Sequence, residues 1–277
     1  MSRSDEAILS ILAITKQRQE RLVALLRDDK ARPSDTEGLR SSIREGYEQV
    51  MLHCPETAVL HDVDHQLWKT CFYGPVEHYR SLMRRSAKVV QRYNDEREGE
   101  GRSARKASAV AARKELKATQ IEFKTCIAEA STFYQGLIRR LESAHGKAMI
   151  AALSGTSSID AGSDEAVQSL RSRLVTVSRC WTFLGDLARY KELHSDMGSK
   201  DWSTARAFYE KAVTALPSSC GNPHNQLAVT ATYQDSEVVA LYHYARALSG
   251  MTHQPFSPVR VAAKLTLRIV PVFFRST

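Results

Sequence analysis

The sequence predicts an all-α protein. Over 277 residues, apolar side chains recur at three- and four-residue intervals in long stretches. No stretch alternates apolar and polar residues with period two between turn signals, so strands are not expected. The 13 glycines and 8 prolines fall almost entirely between the periodic stretches, where breakers belong.

The first helix is expected over 5–27, with Ile8, Ile11, Leu12, Leu22, Leu25 and Leu26 at helical spacing and Ser4-Asp5-Glu6 as cap and acidic first turn. Residues 28–35 connect it to a second helix over 36–54, striped by Leu39, Ile43, Tyr47 and Met51. Pro55 ends that helix, because proline disfavours helical geometry in the residue before it. A third stretch, 64–93, is expected to break or kink at Gly74-Pro75, where a backbone donor is missing. Residues 94–104 are polar and Gly-interrupted and read as an exposed loop. The fourth helix, 105–146, is charged and Ala-rich at first. It then carries Leu116, Ile121, Phe123, Ile127, Phe133, Tyr134, Leu137 and Leu141. Small residues over 154–163 make a linker, and helices follow over 164–194, 201–216, 223–233 and 235–249. The expected organisation is thus an N-terminal helical part (1–153), the linker, a repeat region (164–258) and an atypical tail (259–277).

An internal repeat marks the C-terminal half. Ala205, Tyr209 and Ala212 recur as Ala240, Tyr244 and Ala247, displaced by 35 residues. Trp181, Leu184 and Gly185 stand before the first unit, and Leu227-Ala228 before the second. This is the order and period of the tetratricopeptide (TPR) pattern, in which small residues let paired helices approach and an aromatic ring fills the gap.

The chemistry-bearing motifs are few. A net charge of +8 invites an anionic partner without locating it. There is no run of apolar residues long enough for a membrane-spanning helix, and no secretory signal order at the N-terminus. Five scattered cysteines without a C-x-x-C pair read as free thiols in a reducing compartment. Phosphate-loop, dinucleotide and nucleophile-elbow motifs are all missing, so no enzyme and no cofactor are expected. His61 and His65 share a helical face near Asp62, Asp64, His53 and Cys54. A third ligand at fixed spacing is lacking, and an acidic helix cap is the better account.

Two basic clusters remain. Arg84, Arg85, Lys88, Arg105, Lys106, Arg113, Lys114 and Lys117 form a possible nucleic-acid surface, although acids are interleaved and aromatics are not. Arg189-Tyr190-Lys191 is more focused. It follows Leu184-Gly185 on the inward helix of the repeat, where an exposed aromatic and two cations would face a concave surface. An arginine fork and a tyrosine hydroxyl suit a phosphate; cations closing a helix C-terminus are the alternative.

The stretch Cys180-Trp-Thr-Phe-Leu-Gly-Asp-Leu-Ala-Arg-Tyr-Lys191, with Ala205-x-Ala-Phe-Tyr-x-Lys-Ala212, Gly221-Asn-Pro-His-Asn-Gln-Leu-Ala228 and Leu241-Tyr-x-Tyr-x-Arg-Ala-Leu248, resembles the Smg/Est adaptors of nonsense-mediated mRNA decay and telomerase. The wording is most similar to the plant-type decay adaptor. Leu67-Trp68, Glu77-His-Tyr-Arg80 and Ala130-Ser-Thr-Phe-Tyr134 resemble the family's earlier helices, so the likeness runs over about 36–258. It implies a 14-3-3-like helical domain continuing into TPR repeats. It also implies a groove that binds phosphoserine or phosphothreonine segments of the up-frameshift RNA helicase and recruits decay factors, in the cytoplasm with possible shuttling to the nucleus. A related adaptor subunit is a further partner that it implies. Carried over by residue, Arg189 and Tyr190 take the phosphate positions, with Lys191 beside them, and Asn225 falls where an asparagine could hold the peptide backbone. The family's lysine after the tryptophan is not matched: Tyr73 stands there, and Lys69 or Arg80 is the candidate substitute. Telomerase association through nucleic acid is the alternative function, and an inert truncated scaffold the second. The tail, with Arg260, Lys264, Arg268 and Arg275, departs from the family and reads as a truncated or mis-joined product.

Overall fold

Apolar stripes become packed helices along the whole described chain. The computed structural model describes residues 3–26, 33–95, 102–143, 164–195, 198–217 and 221–249. Its elements are α1 (Arg3–Leu25), α2 (Pro33–His53), α3 (Pro55–Leu60), α4 (Val63–Leu67), a π-helical turn (Trp68–Tyr73), α5 (Gly74–Asp95), α6 (Arg102–Ser143), α7 (Asp164–Leu193), α8 (Ser203–Ala215), α9 (Gly221–Tyr233) and α10 (Glu237–Ser249). No strand occurs among the described residues. The all-α class is therefore the observed one. The expected linker at 154–163, the tail at 259–277 and most of the 94–104 loop lie outside the described residues.

The α1 stripe of Ile8, Leu12, Thr15 and Leu22 is buried against α2, whose inward face carries Ile43, Tyr47, Val50 and Met51. The two helices meet closely at Gly46, where an added Cβ would strike the Thr15 side chain. Pro55 occupies the first turn of α3, where its missing N–H costs nothing.

Gly74-Pro75 does not break the helical run. Pro75 cannot donate to the carbonyl four residues back, and its ring would collide with it. The preceding turn widens instead: the Gly74 N–H reaches the Lys69 carbonyl, five residues back, and α5 continues from Gly74. The widened turn buries Trp68, Cys71 and Phe72. Trp68 stacks on Phe183 of α7, with ring centroids 4.7 Å apart and planes within 4°, while Phe72 meets Phe133 and Tyr134 of α6. Burial of this aromatic group fixes the turn against α6 and α7.

Two residues counted in sequence stripes face outward instead. Ile121 is 67% exposed and Leu26 is exposed at the end of α1. On α6 the buried line runs through Phe123, Ile127, Ala130, Tyr134, Leu137 and Leu141. Ile121 lies two residues from Phe123, about 200° around the helix, and so points away.

The core passes without interruption from α1 through α6 into α7 and reaches Ala215 at the end of α8. Polar ties reinforce it. Arg179 of α7 bonds Asp64 at 2.9 Å and Asp62 at 3.1 Å, and Arg173 donates to the Leu52 carbonyl at 2.7 Å. Asp62 does sit at the N-cap of α4, but its side chain caps nothing; the Asp64 carboxylate accepts from the His65 N–H and pairs with Arg179. These aspartates serve a helix-to-helix tie.

The repeat geometry follows the expected pattern. Gly185 lies directly under the Tyr209 ring, which leaves no room for a Cβ. Ala228, Ala231, Ala240, Tyr244 and Ala247 form the equivalent cluster between α9 and α10.

Candidate phosphate-binding site

Arg189 and Tyr190 sit near the C-terminal end of α7, and both are buried, each 8% exposed. An exposed aromatic flanked by two cations was expected; only Lys191 is exposed. The reason is packing. Tyr190 continues the Phe183, Leu184 and Leu187 stripe of α7 into the main core.

Arg189 is held in a closed polar triangle. Its Nη2 donates to Asp186 Oδ1 at 2.8 Å, its Nε donates to the Tyr209 hydroxyl at 3.2 Å, and that hydroxyl donates to the same Asp186 oxygen at 2.8 Å. Two of the five guanidinium N–H groups are committed there. Burial works against the Arg189 charge, but the Asp186 carboxylate and the two tyrosine hydroxyls outweigh it, and its pKa is raised. The guanidinium is fixed in place and permanently cationic.

The second cation comes from α5. Arg80 lies on the buried line between Val76 and Met83 and places its guanidinium carbon 4.6 Å from the Tyr190 ring centroid. Arg189 stands at the same 4.6 Å distance. Two guanidinium groups from residues 109 positions apart thus converge on one ring. Arg80 also pairs with Glu77 at 2.7 Å, and its buried Nε has no hydrogen-bond partner among the described residues. Tyr73, at the end of the π turn, sits with its ring 6.4 Å from Tyr190. Burial, then Asp186, pushes the Tyr190 hydroxyl up to about 12 against the pull of Arg189, so it remains a neutral donor.

The other expected members divide. Lys69 is exposed on the π turn and makes no cation–π contact or hydrogen bond with Tyr190 among the described residues. Asn225, on α9, is 3% exposed, and its side-chain Oδ1 is buried without a hydrogen-bond partner. Of the basic surface, Arg84 pairs with Glu77 and Arg113 donates to Asn94 at 3.1 Å; Arg85, Lys88, Lys106, Lys114 and Lys117 are exposed along α5 and α6. The side chain of Arg105 lies outside the described residues. A separate cleft of about 890 Å³ between α2, α5 and α6, lined by Arg40, Cys71, Tyr79, Cys126 and Phe133, contains none of the Arg189 cluster.

Sequence reasoning missed Asp186 and the polar use of Tyr209. Asp186 stands three residues before Arg189, a spacing that places the two on one helix face and could have signalled the pair. Nothing in the repeat pattern distinguishes a tyrosine there from a phenylalanine until the partner of its hydroxyl is seen.

Two family models match the chain: one described as telomerase activating protein Est1, over residues 62–195, and one described as the Est1 DNA/RNA binding domain, over residues 205–259. The nonsense-mediated mRNA decay factor SMG7 of Arabidopsis thaliana is 30% identical over 227 residues, 79% of this chain and 20% of that protein. An SMG7-like decay factor of the same plant is 36% identical over 135 residues, 48% of this chain and 13% of its own length. Telomerase-binding protein EST1A of Danio rerio is 28% identical over 216 residues, 76% of this chain and 12% of that protein. The chain therefore spans about a fifth or less of the curated relatives it matches. The matched stretches run from the start of α4 through α7 and on through α10, including the helices that assemble the arginine–tyrosine cluster, and the chain belongs to the Smg/Est family.

Proposed function

We propose that the chain is a non-enzymatic adaptor that captures phosphoserine or phosphothreonine segments through Arg189, Tyr190 and Arg80. The observation that carries this is the meeting of two guanidinium groups on the Tyr190 ring. A phosphate has oxygens enough for both forks, and a neutral tyrosine hydroxyl adds a donor. Asp186 and Tyr209 preorganise Arg189, which reduces the ordering cost of binding. Asn225, with its unpartnered oxygen, is the candidate for an amide of the bound segment. The ligand that the family resemblance points to is the phosphorylated up-frameshift helicase of nonsense-mediated decay, with decay factors recruited in turn and a cytoplasmic place of action.

Calorimetry with a phosphorylated and an unphosphorylated helicase peptide tests it. Binding is expected only with the phosphate, and Arg189→Ala is expected to weaken it about tenfold or more, as for hydrogen bonds to charged groups. Equal affinity for both peptides would overturn the reading and favour an inert scaffold.

The second reading, telomerase association through nucleic acid on the 84–117 basic face, has a family-model description in its favour. That description falls on 205–259, however, where Arg206, Lys211 and Arg246 are balanced by Glu210, Asp235 and Glu237. A charge-balanced surface lacks the electrostatic footprint of phosphate-backbone binding. This reading expects affinity for single strands that falls steeply with salt and ignores Arg189→Ala.

A further inference from the structure

The Arg189 cluster is one rung of a ladder. On α5, Arg84 follows Arg80 by four residues; just past the end of α7, His194 follows Tyr190 by four, with its N–H still bonded to the Tyr190 carbonyl at 3.3 Å. Four helical residues advance about 6 Å. Arg84 and His194 therefore each stand, as a second rung, about one turn beyond Arg80 and Tyr190, and both arginines, Arg80 the more strongly, act on the His194 imidazole. Phe123 of α6 backs the His194 ring edge-on at 5.2 Å. Lys200 folds onto the adjacent Ser195, with Nζ 2.6 Å from its carbonyl and 3.0 Å from its hydroxyl, and so brings a second cation beside Arg84 to this rung.

The charge balance at the second rung is positive. Glu77 is shared, one oxygen to Arg80 and the other to Arg84, so one carboxylate serves two guanidinium groups. Glu192 is turned to the Ser195 hydroxyl and the Asp201 N–H, and Lys191 stands exposed one turn earlier. Burial, followed by Arg80, Arg84 and Lys200, holds the His194 imidazole below its ordinary pKa, with Glu77 opposing. Three cations thus act on His194 against one carboxylate. An anion placed there would relieve the repulsion among these groups.

Resting on the phosphopeptide reading above, we propose that Arg84, His194 and Lys200 form a second anion subsite, which takes an acidic or second phosphorylated side chain two residues from the first phosphoresidue. The spacing follows from chain geometry. In an extended segment, alternate side chains share a face and lie about 6.5 Å apart, which matches one helical turn; the intervening side chain points away.

The test compares a singly phosphorylated peptide with versions carrying Glu or a second phosphoserine at position +2, −2 or +1, by fluorescence anisotropy on the full chain. The second anion is expected to tighten binding about three- to tenfold at +2 or −2 and not at +1, in the range of partly screened charge pairs. The Glu and phosphoserine arms distinguish a simple acidic residue from a second phosphate. In Arg84→Ala, and separately in Lys200→Ala, the ratio of doubly to singly anionic affinity is expected to fall to about one. A singly phosphorylated peptide that binds, with no gain at either ±2 position or with a gain surviving both variants, overturns the subsite and leaves the Arg189 reading standing. Failure of the singly phosphorylated peptide to bind overturns that reading and the subsite with it.

Discussion

Tyr134 carries a hydroxyl that is fully buried and has no partner among the described residues, in the middle of the Trp68, Phe72, Phe133 and Phe183 aromatic group. A buried donor left unsatisfied costs about 1–3 kcal/mol. Tyr134→Phe is therefore expected to stabilise the fold by about 1 kcal/mol, read as a higher denaturant midpoint with an unchanged slope. The opposite outcome is expected at Gly185, where a methyl would meet the Tyr209 ring. Gly185→Ala should destabilise by about 1–3 kcal/mol through overpacking and also loosen the Arg189 triangle, since Tyr209 must shift. At this scale the sequence was legible where short-range spacing carries the information: Gly185 with the repeat tyrosine, and Arg189 with Tyr190. The partner from α5 was legible only as one of two candidates, because a contact across 110 residues leaves no local spacing. Arg80 proved to lie on the buried line of α5, whereas Lys69 is exposed.

Between α9 and α10 the imidazoles of His224 and His243 face each other, with Nδ1 atoms 3.0 Å apart and rings 5.2 Å apart. Burial, then His243 and Arg246, holds His224 down at about 4; burial also lowers His243, with Glu210 pulling upward and Arg206 downward. Both folded-state values lie below the ordinary histidine value of about 6.5. Such a group binds fewer protons folded than unfolded, so its contribution to stability is complete above that value and is lost as pH falls toward the folded one. The thermal midpoint is expected to fall between pH 6.5 and pH 4 by more in the unmodified chain than in His224→Phe, and the His224 ring signals should remain those of a neutral imidazole at pH 5. Helix positions themselves were well marked in the sequence, because stripes and breakers are local. The π turn was not. A proline within a helix announces a disturbance, and whether the chain kinks or takes in one extra residue is decided by what the aromatic side chains can reach, here Phe183, Phe133 and Tyr134.

Across the molecule, one buried pair ties segments 115 residues apart. Asp64 is buried beneath Arg179; burial pushes its carboxyl upward while the Arg179 charge and hydrogen bond pull it back. Removing one member leaves an uncompensated charge, so Arg179→Met is expected to cost about 3–5 kcal/mol, while Arg179→Met with Asp64→Leu recovers most of that loss. A denaturation double-mutant cycle measures the coupling. The aspartates stood beside two histidines in the sequence and invited a metal or cap reading. Their actual partner lies on a helix whose distance along the chain conceals it. The main core likewise runs on from α6 into α7 past the residues expected to form a linker.

The extra residue in the Trp68–Tyr73 turn acts as a phase adjuster. A straight helix turns about 100° per residue, so one added position rotates everything downstream by that angle relative to everything upstream. Val63, Leu67 and Trp68 face inward before the adjustment, and Val76, Arg80 and Met83 follow their own inward line after it. Shortening this stretch by a single residue would set the two halves at odds. Either the tryptophan keeps its seat on Phe183, or the arginine keeps its place over Tyr190. The length of that turn is thus a mechanical setting that ties the integrity of the interior to the aim of a half-buried charge.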